Sequence, residues 1–286
     1  PRYRWLLNSR ADLMIKTNND PAGDQAVALS KIDASLESLR LLGESISGDY
    51  VWVNIPEFKL YFFDRDKSIW STRIIIGKPL TPTPIMMARV ISLIINPKWF
   101  VPESIFQELR PQTRDDVTRL YEKGFKLYDK YGNRIQLTKL YDTAQASDST
   151  QFVLVQEPGP TNPLGKIKFD SPNEMAIYLH DTPAKAMFNE SLRAKSHGCV
   201  RVESPYDLAA LLMDEKEFQP YLNSTDKTSV VQLPKPYDLF IGYQTAVIDD
   251  DGKLVFYEDV YGWESDIINI LRTPLQSKYQ NTSPSF

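Results

Sequence analysis

Apolar and polar residues follow two different patterns along the chain, and the change from one to the other comes early. In the first part, Ile32 and Leu36 belong to an apolar stripe at helical spacing, which predicts helices over residues 1–47. In the second part, short runs rich in β-branched and aromatic residues alternate with turn residues, as in residues 50–55. The pattern therefore predicts an N-terminal helical segment followed by a mostly β domain over residues 48–286.

One long stretch inside the second part departs from the strand pattern. Helix-like sequence begins at Pro102 and again at Arg114, whereas strand-like runs precede and follow this stretch. A long segment inserted between strands is often functional and serves as a lid over a site. We therefore expect an inserted, helical capping subdomain over about residues 100–150.

The overall composition excludes several classes of function. The chain has 286 residues, a formal net charge of −4, 42% hydrophobic and 24% charged residues. This is the composition of an ordinary globular protein, and it lacks the basic patch or high pI typical of nucleic-acid binders. No apolar run approaches the length of about 18 residues that a membrane-spanning helix needs. We therefore expect neither a nucleic-acid partner nor a membrane span.

The rarest residues of the chain lie close together. Cys199 is the only cysteine, and the only two histidines, His180 and His197, both fall within the 20 residues that end at Cys199. One thiol and one imidazole are enough for a thiolate nucleophile with a general base. A buried structural cysteine fits the local spacing about equally well. The two-residue gap between His197 and Cys199 does not match zinc-ligand spacings, so we expect neither a metal nor a cofactor.

Either histidine could act as the base. Residues 176–180 have the pattern of a strand that ends at His180, and Asp181 or a backbone carbonyl near it could fix the tautomer of the ring. A nearby imidazolium would lower the pKa of the Cys199 thiol. His197 lies two residues from Cys199, which in a strand would place both side chains on one face. The residues alone therefore leave open which histidine takes the proton.

Neighbouring residues could complete such a site. The backbone amides of Gly198 and Cys199 could bind a developing oxyanion. Arg201 is two residues beyond Cys199, so it could hold a carboxylate on the same face, or instead pair with Glu203 at the surface. Tyr178, two residues before His180, could face the pocket or only pack in the core.

The segments 178–182 and 196–201, Tyr-Leu-His-Asp-Thr and Ser-His-Gly-Cys-Val-Arg, resemble the active-site signature of the YkuD-type L,D-transpeptidases. That signature is a histidine, a spacer of about this length, and then Ser/Thr-His-Gly-Cys. Further segments, including Asn96–Trp99 and Pro158–Gly165, resemble the lid-bearing, YcbB-like branch of Gram-negative bacteria. The arginine at position 201 agrees with that branch.

The resemblance implies a fold and an activity. The fold is a mostly β, α+β protein: a YkuD-type β-sandwich catalytic domain with an inserted helical capping subdomain. The activity is transfer of a peptidoglycan stem tetrapeptide, in which Cys199 attacks the carbonyl of the L-centre of meso-diaminopimelate and D-alanine leaves. The diaminopimelate amine of a neighbouring stem then takes the acyl group and forms a 3→3 cross-link. Peptidoglycan stem peptides would be the partners, a carbapenem a covalent inhibitor, and the periplasm the location.

The resemblance also assigns roles to residues. It implies that His180 is the base and that the amides of Gly198 and Cys199 form the oxyanion hole. It places five further residues at the substrate: Tyr178, Ser196, His197, Arg201 and Trp99. The branch often has serine at position 197, so His197 is not expected to be indispensable.

Other functions remain open at this stage. The same fold could serve an L,D-carboxypeptidase that uses water as acceptor, or an enzyme that anchors or releases a lipoprotein on peptidoglycan. A non-catalytic peptidoglycan-binding module is a further alternative, although an intact Cys199, His180 and Gly198 argues against it. A papain-like protease is disfavoured because its cysteine precedes its histidine by a long stretch, whereas here the order is reversed.

Overall fold

The computed structural model describes residues 2–16, 23–41, 48–65, 67–142, 152–223, 227–249 and 251–272. The helices in this part of the chain are α1 Arg2–Lys16, α2 Asp24–Leu41, α3 Glu103–Leu109, α4 Arg114–Glu122, α5 Thr138–Asp142, α6 Pro205–Leu212, α7 Glu215–Leu222 and α8 Glu264–Arg272, with a short 3₁₀ helix at Lys185–Asn189. None of the described helices is long and apolar enough to cross a membrane.

Strands make up most of the remaining elements. They are β1 Tyr50–Asn54, β2 Lys59–Asp64, β3 Lys67–Gly77, β4 Met86–Ile95, β5 Trp99–Phe100, β6 Phe125–Asp129, β7 Arg134–Ile135, β8 Phe152–Gln156, β9 Ile167–Asp170, β10 Leu179–His180, β11 Ala194–Ser196, β12 Val200–Val202, β13 Ser229–Gly242, β14 Ala246–Ile248 and β15 Leu254–Phe256. The expectation of a mostly β, α+β protein with an N-terminal helical segment is confirmed.

The main sheet closes on itself through the long strand β3. The strands follow the order β3-β12-β10-β9-β4-β13-β1-β2, and β2 pairs again with β3. The first half of β3 pairs antiparallel with β2, and its second half pairs with β12 on one side and β11 on the other. β3 therefore lies directly beside both strands that flank residues 197–199.

A large apolar core holds this sheet together. It includes fully buried side chains from the strands, such as Val53, Ile74 and Phe169, and Leu208 and Phe218 from the helices α6 and α7. Fully burying side chains of this size stabilises a fold by about 1.5–3 kcal/mol each. The strands that carry the candidate site residues therefore belong to a sheet that this core stabilises.

The N-terminal helices pack on the C-terminal hairpin of β14 and β15. Leu6, Ile32 and Leu36 form one buried cluster with Ala246 and Ile248. Buried serines of α2 also bind the strand backbone, since Ala246 N donates to Ser35 Oγ at 2.8 Å and Tyr243 N donates to Ser38 Oγ at 2.9 Å. The helical segment is thus packed directly on the β domain.

The insertion forms a subdomain with its own core, called the lid here and defined as residues Trp99–Gln156. It contains α3, α4 and α5 together with a four-stranded sheet in the order β5-β8-β6-β7. Its core consists of Phe106, Val117, Leu120, Phe125, Leu127, Leu137, Leu140 and Leu154. The lid is therefore mixed rather than purely helical, and residues 143–151 of the expected insertion lie outside the described residues.

The strand expected at residues 176–180 is shorter than the sequence indicated. Only β10, two residues long, pairs with its neighbours β9 and β12. Ala176 has a φ of 54°, a left-handed conformation that no strand contains. The chain therefore joins the sheet at Leu179, immediately before His180.

Candidate active site

A cavity of about 180 Å³ lies between the lid and the strands of the main sheet. Its lining includes seven residues that the sequence analysis placed at the site: Trp99, Tyr178, His180, Ser196, His197, Cys199 and Arg201. Gly198 lies in the same loop as His197 and Cys199. The remaining lining residues are Pro102, Ile105, Pro163 and Leu164, to which the sequence analysis gave no site role. The expectation of a lid could have indicated both Pro102 and Ile105, because Pro102 is the N-cap of α3 and Ile105 belongs to the first turn of that helix.

Residues 197–199 form a tight turn between β11 and β12. Gly198 has a φ of 112°, and a Cβ added there would lie 3.1 Å from Ile177 Cδ1, so this position favours glycine. Ser196 Oγ donates to the Cys199 carbonyl at 2.6 Å and accepts from the Gly198 amide at 3.2 Å. The expectation that His197 and Cys199 share a face of one strand is therefore wrong, because the positive φ interrupts the extended chain between them.

The Gly198 amide is engaged within this turn rather than directed at a ligand. Its bond to Ser196 Oγ occupies the hydrogen that the sequence analysis assigned to an oxyanion. Gly198 instead shapes the turn, and Thr83 Oγ1 donates to its carbonyl at 2.6 Å. Contrary to the expectation, the Gly198 amide is therefore not free to bind an oxyanion in this structure.

The Cys199 thiol is partly buried beside the segment that leads into β10. Its Sγ lies 3.7 Å from the Ala176 carbonyl, to which it donates. Burial raises the pKa of the thiol, while the backbone amide and the hydroxyl of Tyr178 and the charges of Lys168 and Arg201 act in the opposite direction. Burial also raises the pKa of Tyr178. The thiol is therefore neutral at rest.

His180 is buried in the cavity wall, with 4% of its surface exposed. Its Nδ1 lies 2.5 Å from the Asp181 carbonyl. Since a carbonyl only accepts, Nδ1 carries the hydrogen of the neutral ring and Nε2 has the lone pair, and the backbone carbonyl of Pro163 also faces the ring and acts to raise its pKa. Burial, and then the charge of Arg201, lower the pKa of His180 to about 3. His180 is therefore a neutral base with a fixed tautomer.

The surroundings of the resting site do not favour a thiolate–imidazolium pair. Burial disfavours the charged form of both groups, and the nearby Arg201 guanidinium further disfavours a cation at His180. Within the described residues no hydrogen bond joins Cys199 Sγ to the His180 ring. A proton transfer between them therefore requires the thiol to turn away from the Ala176 carbonyl.

The Asp181 side chain does not contact the His180 ring, and it holds the neighbouring loop instead. Its carboxylate accepts from the Lys166 amide and from Lys185 Nζ, both at 2.8 Å. A Cβ added to Gly165 would lie only 2.2 Å from Asp181 Oδ2, so the loop approaches this carboxylate as closely as glycine allows. Of the two partners expected for His180, the structure therefore selects the backbone carbonyl.

Arg201 brings a mostly buried cation to the cavity. Its Nε is buried without a hydrogen-bond partner, and its Nη1 contacts Met187 Sδ at 3.7 Å. Glu203 is engaged by Arg73, whose Nε donates to it at 2.8 Å, so the alternative Arg201–Glu203 pair does not form. A guanidinium in this state is suited to bind an anionic ligand group.

His197 connects the turn to the lid. Its Nε2 lies 3.2 Å from both carboxylate oxygens of Glu108 at the end of α3, and Lys78 Nζ lies 3.3 Å from the same nitrogen. We call these three residues the latch. Glu108 is 89 positions away from His197 in the sequence, and no local pattern linked them.

Replacing Glu108 with alanine is expected to loosen α3 over the cavity. The latch is half exposed, and such ion pairs contribute little, so amide hydrogen exchange across α3 should rise by no more than about fivefold. Hydrogen–deuterium exchange followed by mass spectrometry measures this. Glu103→Ala is the matched control, because Glu103 lies on the same helix and contacts Gln107. Equal exchange in the two variants would contradict the latch.

The arrangement contains the groups that covalent catalysis requires. A thiol, a neutral imidazole with its lone pair available and a buried guanidinium face one cavity, which suits acyl transfer from a substrate that carries an anionic group. Among the described residues no group of three or more His, Cys, Asp or Glu side chains could hold a metal ion.

Comparison with known proteins identifies the family of the chain. The family model of the YkuD L,D-transpeptidase catalytic domain matches residues 48–230. A Haemophilus influenzae protein, provisionally named an L,D-transpeptidase, is 29% identical over 252 residues, which are 86% of this chain and 50% of that protein. The chain thus spans half the length of this curated relative. On the extent of the family match, the chain belongs to the YkuD family of L,D-transpeptidase catalytic domains.

Solved structures resemble the chain more distantly. An L,D-transpeptidase from Mycobacterium smegmatis is 13% identical with a TM-score of 0.33, and the match covers 68% of this chain and 58% of that one. The catalytic domain of an E. faecium L,D-transpeptidase acylated by ertapenem is 13% identical with a TM-score of 0.30, covering 65% of this chain and 96% of that one.

Proposed function

We propose that the chain is a peptidoglycan L,D-transpeptidase that works through an acyl-enzyme on Cys199. One observation carries the proposal: the single thiol and a buried neutral histidine with a fixed tautomer face the same cavity. Membership of the YkuD family supplies the reaction class. The cysteine nucleophile and the substrate are our inference from these two facts together.

In the first half of the proposed reaction, Cys199 Sγ attacks the carbonyl carbon of the L-centre of meso-diaminopimelate. As the thiol turns from the Ala176 carbonyl, His180 Nε2 takes its proton and becomes an imidazolium. The same nitrogen then donates that proton to the amine of D-alanine as the C–N bond breaks. A thioester remains on Cys199, and His180 is neutral again.

The developing oxyanion needs donors that are present before the reaction. The Gly198 amide is bound to Ser196 Oγ. We therefore assign the oxyanion to the backbone amide of Cys199 and the hydroxyl of Tyr178, which already interacts with the sulfur. Both groups adjoin the atom that attacks.

In the second half, the diaminopimelate amine of a neighbouring stem attacks the thioester. His180 takes a proton from this amine and returns it to the sulfur as the thiolate leaves, which completes a 3→3 cross-link. The lid favours an amine over water as acceptor, because Trp99, Pro102 and Ile105 cover the cavity with mostly apolar surface. Hydrolysis to a tripeptide is the competing outcome.

Arg201 is proposed to recognise the donor. A stem tetrapeptide carries carboxylates, and a buried guanidinium with an unpartnered Nε offers a site for one of them beside Cys199. Binding a carboxylate there would also compensate the charge that lies near His180. Arg201 would therefore contribute to both affinity and the protonation of the base.

The lid and Arg201 support placement in the YcbB-like branch of the family. The lid has the position expected for that branch, between β4 and β9 of the main sheet. The resemblance to that branch implies the periplasm of a Gram-negative bacterium, and we propose this location for the protein.

The proposed function is tested with purified disaccharide-tetrapeptide muropeptides. We expect the chain to form a cross-linked dimer with release of D-alanine, identified by mass spectrometry. Arg201→Met, which keeps much of the apolar stem, should raise the half-saturating donor concentration by about tenfold or more, as expected for loss of a charge-assisted bond. A tripeptide as sole product would indicate a carboxypeptidase, and no turnover by folded, reduced protein would contradict the proposal.

A further inference from the structure

The residues just before β10 lie beside the candidate nucleophile and the residues on either side of it. The Ala176 carbonyl accepts from Cys199 Sγ, and Ile177 Cδ1 lies 3.1 Å from the position that a Cβ on Gly198 would take. The Tyr178 carbonyl accepts from the Val200 amide at 3.1 Å, and the amide and hydroxyl of Tyr178 act to lower the pKa of the Cys199 thiol. The position of Cys199 therefore depends on the backbone of residues 176–178.

One side chain holds this backbone, and nothing in the sequence motifs singled it out. Asn173 binds both main-chain groups of Ile177: its Nδ2 donates to the carbonyl at 2.7 Å, and its Oδ1 accepts from the amide at 3.2 Å. The same side-chain amide also accepts from Met175 N at 3.1 Å and donates to the Ser171 carbonyl at 2.6 Å. Asn173 thus provides the main chain of Ile177 with the two hydrogen bonds that a neighbouring strand would provide.

Asn173 provides these hydrogen bonds at a position outside the main sheet. β10 begins at Leu179, so Ile177 belongs to the strand that the sequence predicted but lies outside the strand that forms. Between Asn173 and Ile177, Ala176 adopts a φ of 54°, which is unfavourable for any residue with a Cβ. The four bonds of Asn173 hold the chain in this conformation, and the conformation directs the Ala176 carbonyl at the thiol.

We propose that Asn173 is a positioning residue, which fixes residues 176–178 in the arrangement that presents Cys199 for attack. It acts through the backbone and touches no reacting atom. This inference rests on the proposed role of Cys199 as nucleophile.

The test compares Asn173→Ala with the unmodified chain in two assays of the thiol. In the first, iodoacetamide alkylates Cys199 over a range of pH. The alkylation midpoint should rise, because the amide and hydroxyl of Tyr178 no longer stabilise the thiolate. In the second, a carbapenem series followed by intact-protein mass should give a limiting acylation rate about tenfold lower, as misplacement of a reacting group predicts. The half-saturating concentration should change by less than about twofold, because Arg201 and the lid residues of the cavity lining are unchanged.

Asn54→Ala is the matched control. Asn54 also binds both main-chain groups of one residue, Gln244, at 2.9 and 3.1 Å, and it is absent from the cavity lining. We expect this variant to lower the melting temperature while leaving the alkylation midpoint and the acylation rate unchanged. If Asn173 only stabilised the fold, the two variants would show the same alkylation midpoint and the same acylation rate.

A second substitution examines the strained residue. Glycine adopts a φ of 54° freely, so adding Ala176→Gly to Asn173→Ala should restore at least half of the lost acylation rate on a logarithmic scale. If Asn173→Ala does not fold, Asn173→Asp replaces it, because aspartate keeps the two accepted bonds and loses the two donated ones.

Two outcomes would overturn the proposal. One is an alkylation midpoint and acylation rate for Asn173→Ala equal to those of the unmodified chain. The other is an equal loss in Asn54→Ala. If the unmodified chain is alkylated but takes no acyl group from any donor, the proposed function fails, and the alkylation comparison still decides the role of Asn173.

Discussion

Replacing Cys199 with alanine is expected to abolish covalent capture of a carbapenem and leave the fold intact. The substitution removes one partly buried sulfur, whereas the turn around it is held by Ser196, Gly198 and Thr83 through bonds that do not involve the thiol. Intact-protein mass after incubation should show one adduct on the unmodified chain and none on the variant. Circular dichroism and the melting temperature check the fold.

The chain simplifies the control for this experiment. Cys199 is its only cysteine, so a thiol titration of the unmodified chain reports directly whether the nucleophile is reduced. An adduct that persists in Cys199→Ala would locate the nucleophile elsewhere. A folded, reduced chain that forms no adduct would favour the alternative of a non-catalytic peptidoglycan-binding module.

Replacing His180 with alanine is expected to slow acylation by about 10²–10⁴-fold, the usual contribution of a positioned general base. His197→Ala is the matched control, because it removes the other histidine of the same cavity. It should cost less than about fivefold, since His197 takes part in the half-exposed latch rather than in proton transfer. The rate of carbapenem adduct formation by intact mass measures both. Equal losses would contradict the assignment of the base.

The pH profile provides a second measure of the same assignment. Burial lowers the pKa of His180 from 6.5 to about 3, so the folded base is neutral across the ordinary range and acylation should be flat from about pH 5 to 7. As the pH falls, His180 takes up a proton at a higher pH in the unfolded chain than in the folded chain. The free energy of unfolding should therefore decrease as the pH falls from about 6.5 towards 3. A rate that falls with a midpoint near 6.5 would exclude the buried neutral base.

The sequence was sufficient to predict much of the site because its chemistry depends on rare residues. One cysteine and two histidines within 20 positions, next to a glycine, made Cys199 a candidate nucleophile, and the resemblance to the family signature favoured that role over a structural cysteine. Cys199, His180 and Arg201 all line the cavity as expected. The mostly β class followed from the density of β-branched and aromatic runs, which reflect local pleated packing.

Three features depended on the tertiary structure. The protonation of Cys199 and His180 follows from burial, which sequence spacing does not report. The strand at residues 176–180 is short because Asn173 replaces strand pairing at Ile177. The latch to Glu108 joins positions 89 apart in the sequence, and the lid acquires a sheet because β5 and β8 meet at its base.

The buried neutral thiol also has a consequence for the chemical durability of the protein. Peroxides and disulfides react with thiolates far faster than with thiols. A sulfur that stays protonated against the Ala176 carbonyl is therefore protected from oxidation between reaction cycles. In the oxidising compartment that we propose for the protein, this resting state would slow the oxidation of the one cysteine of the chain.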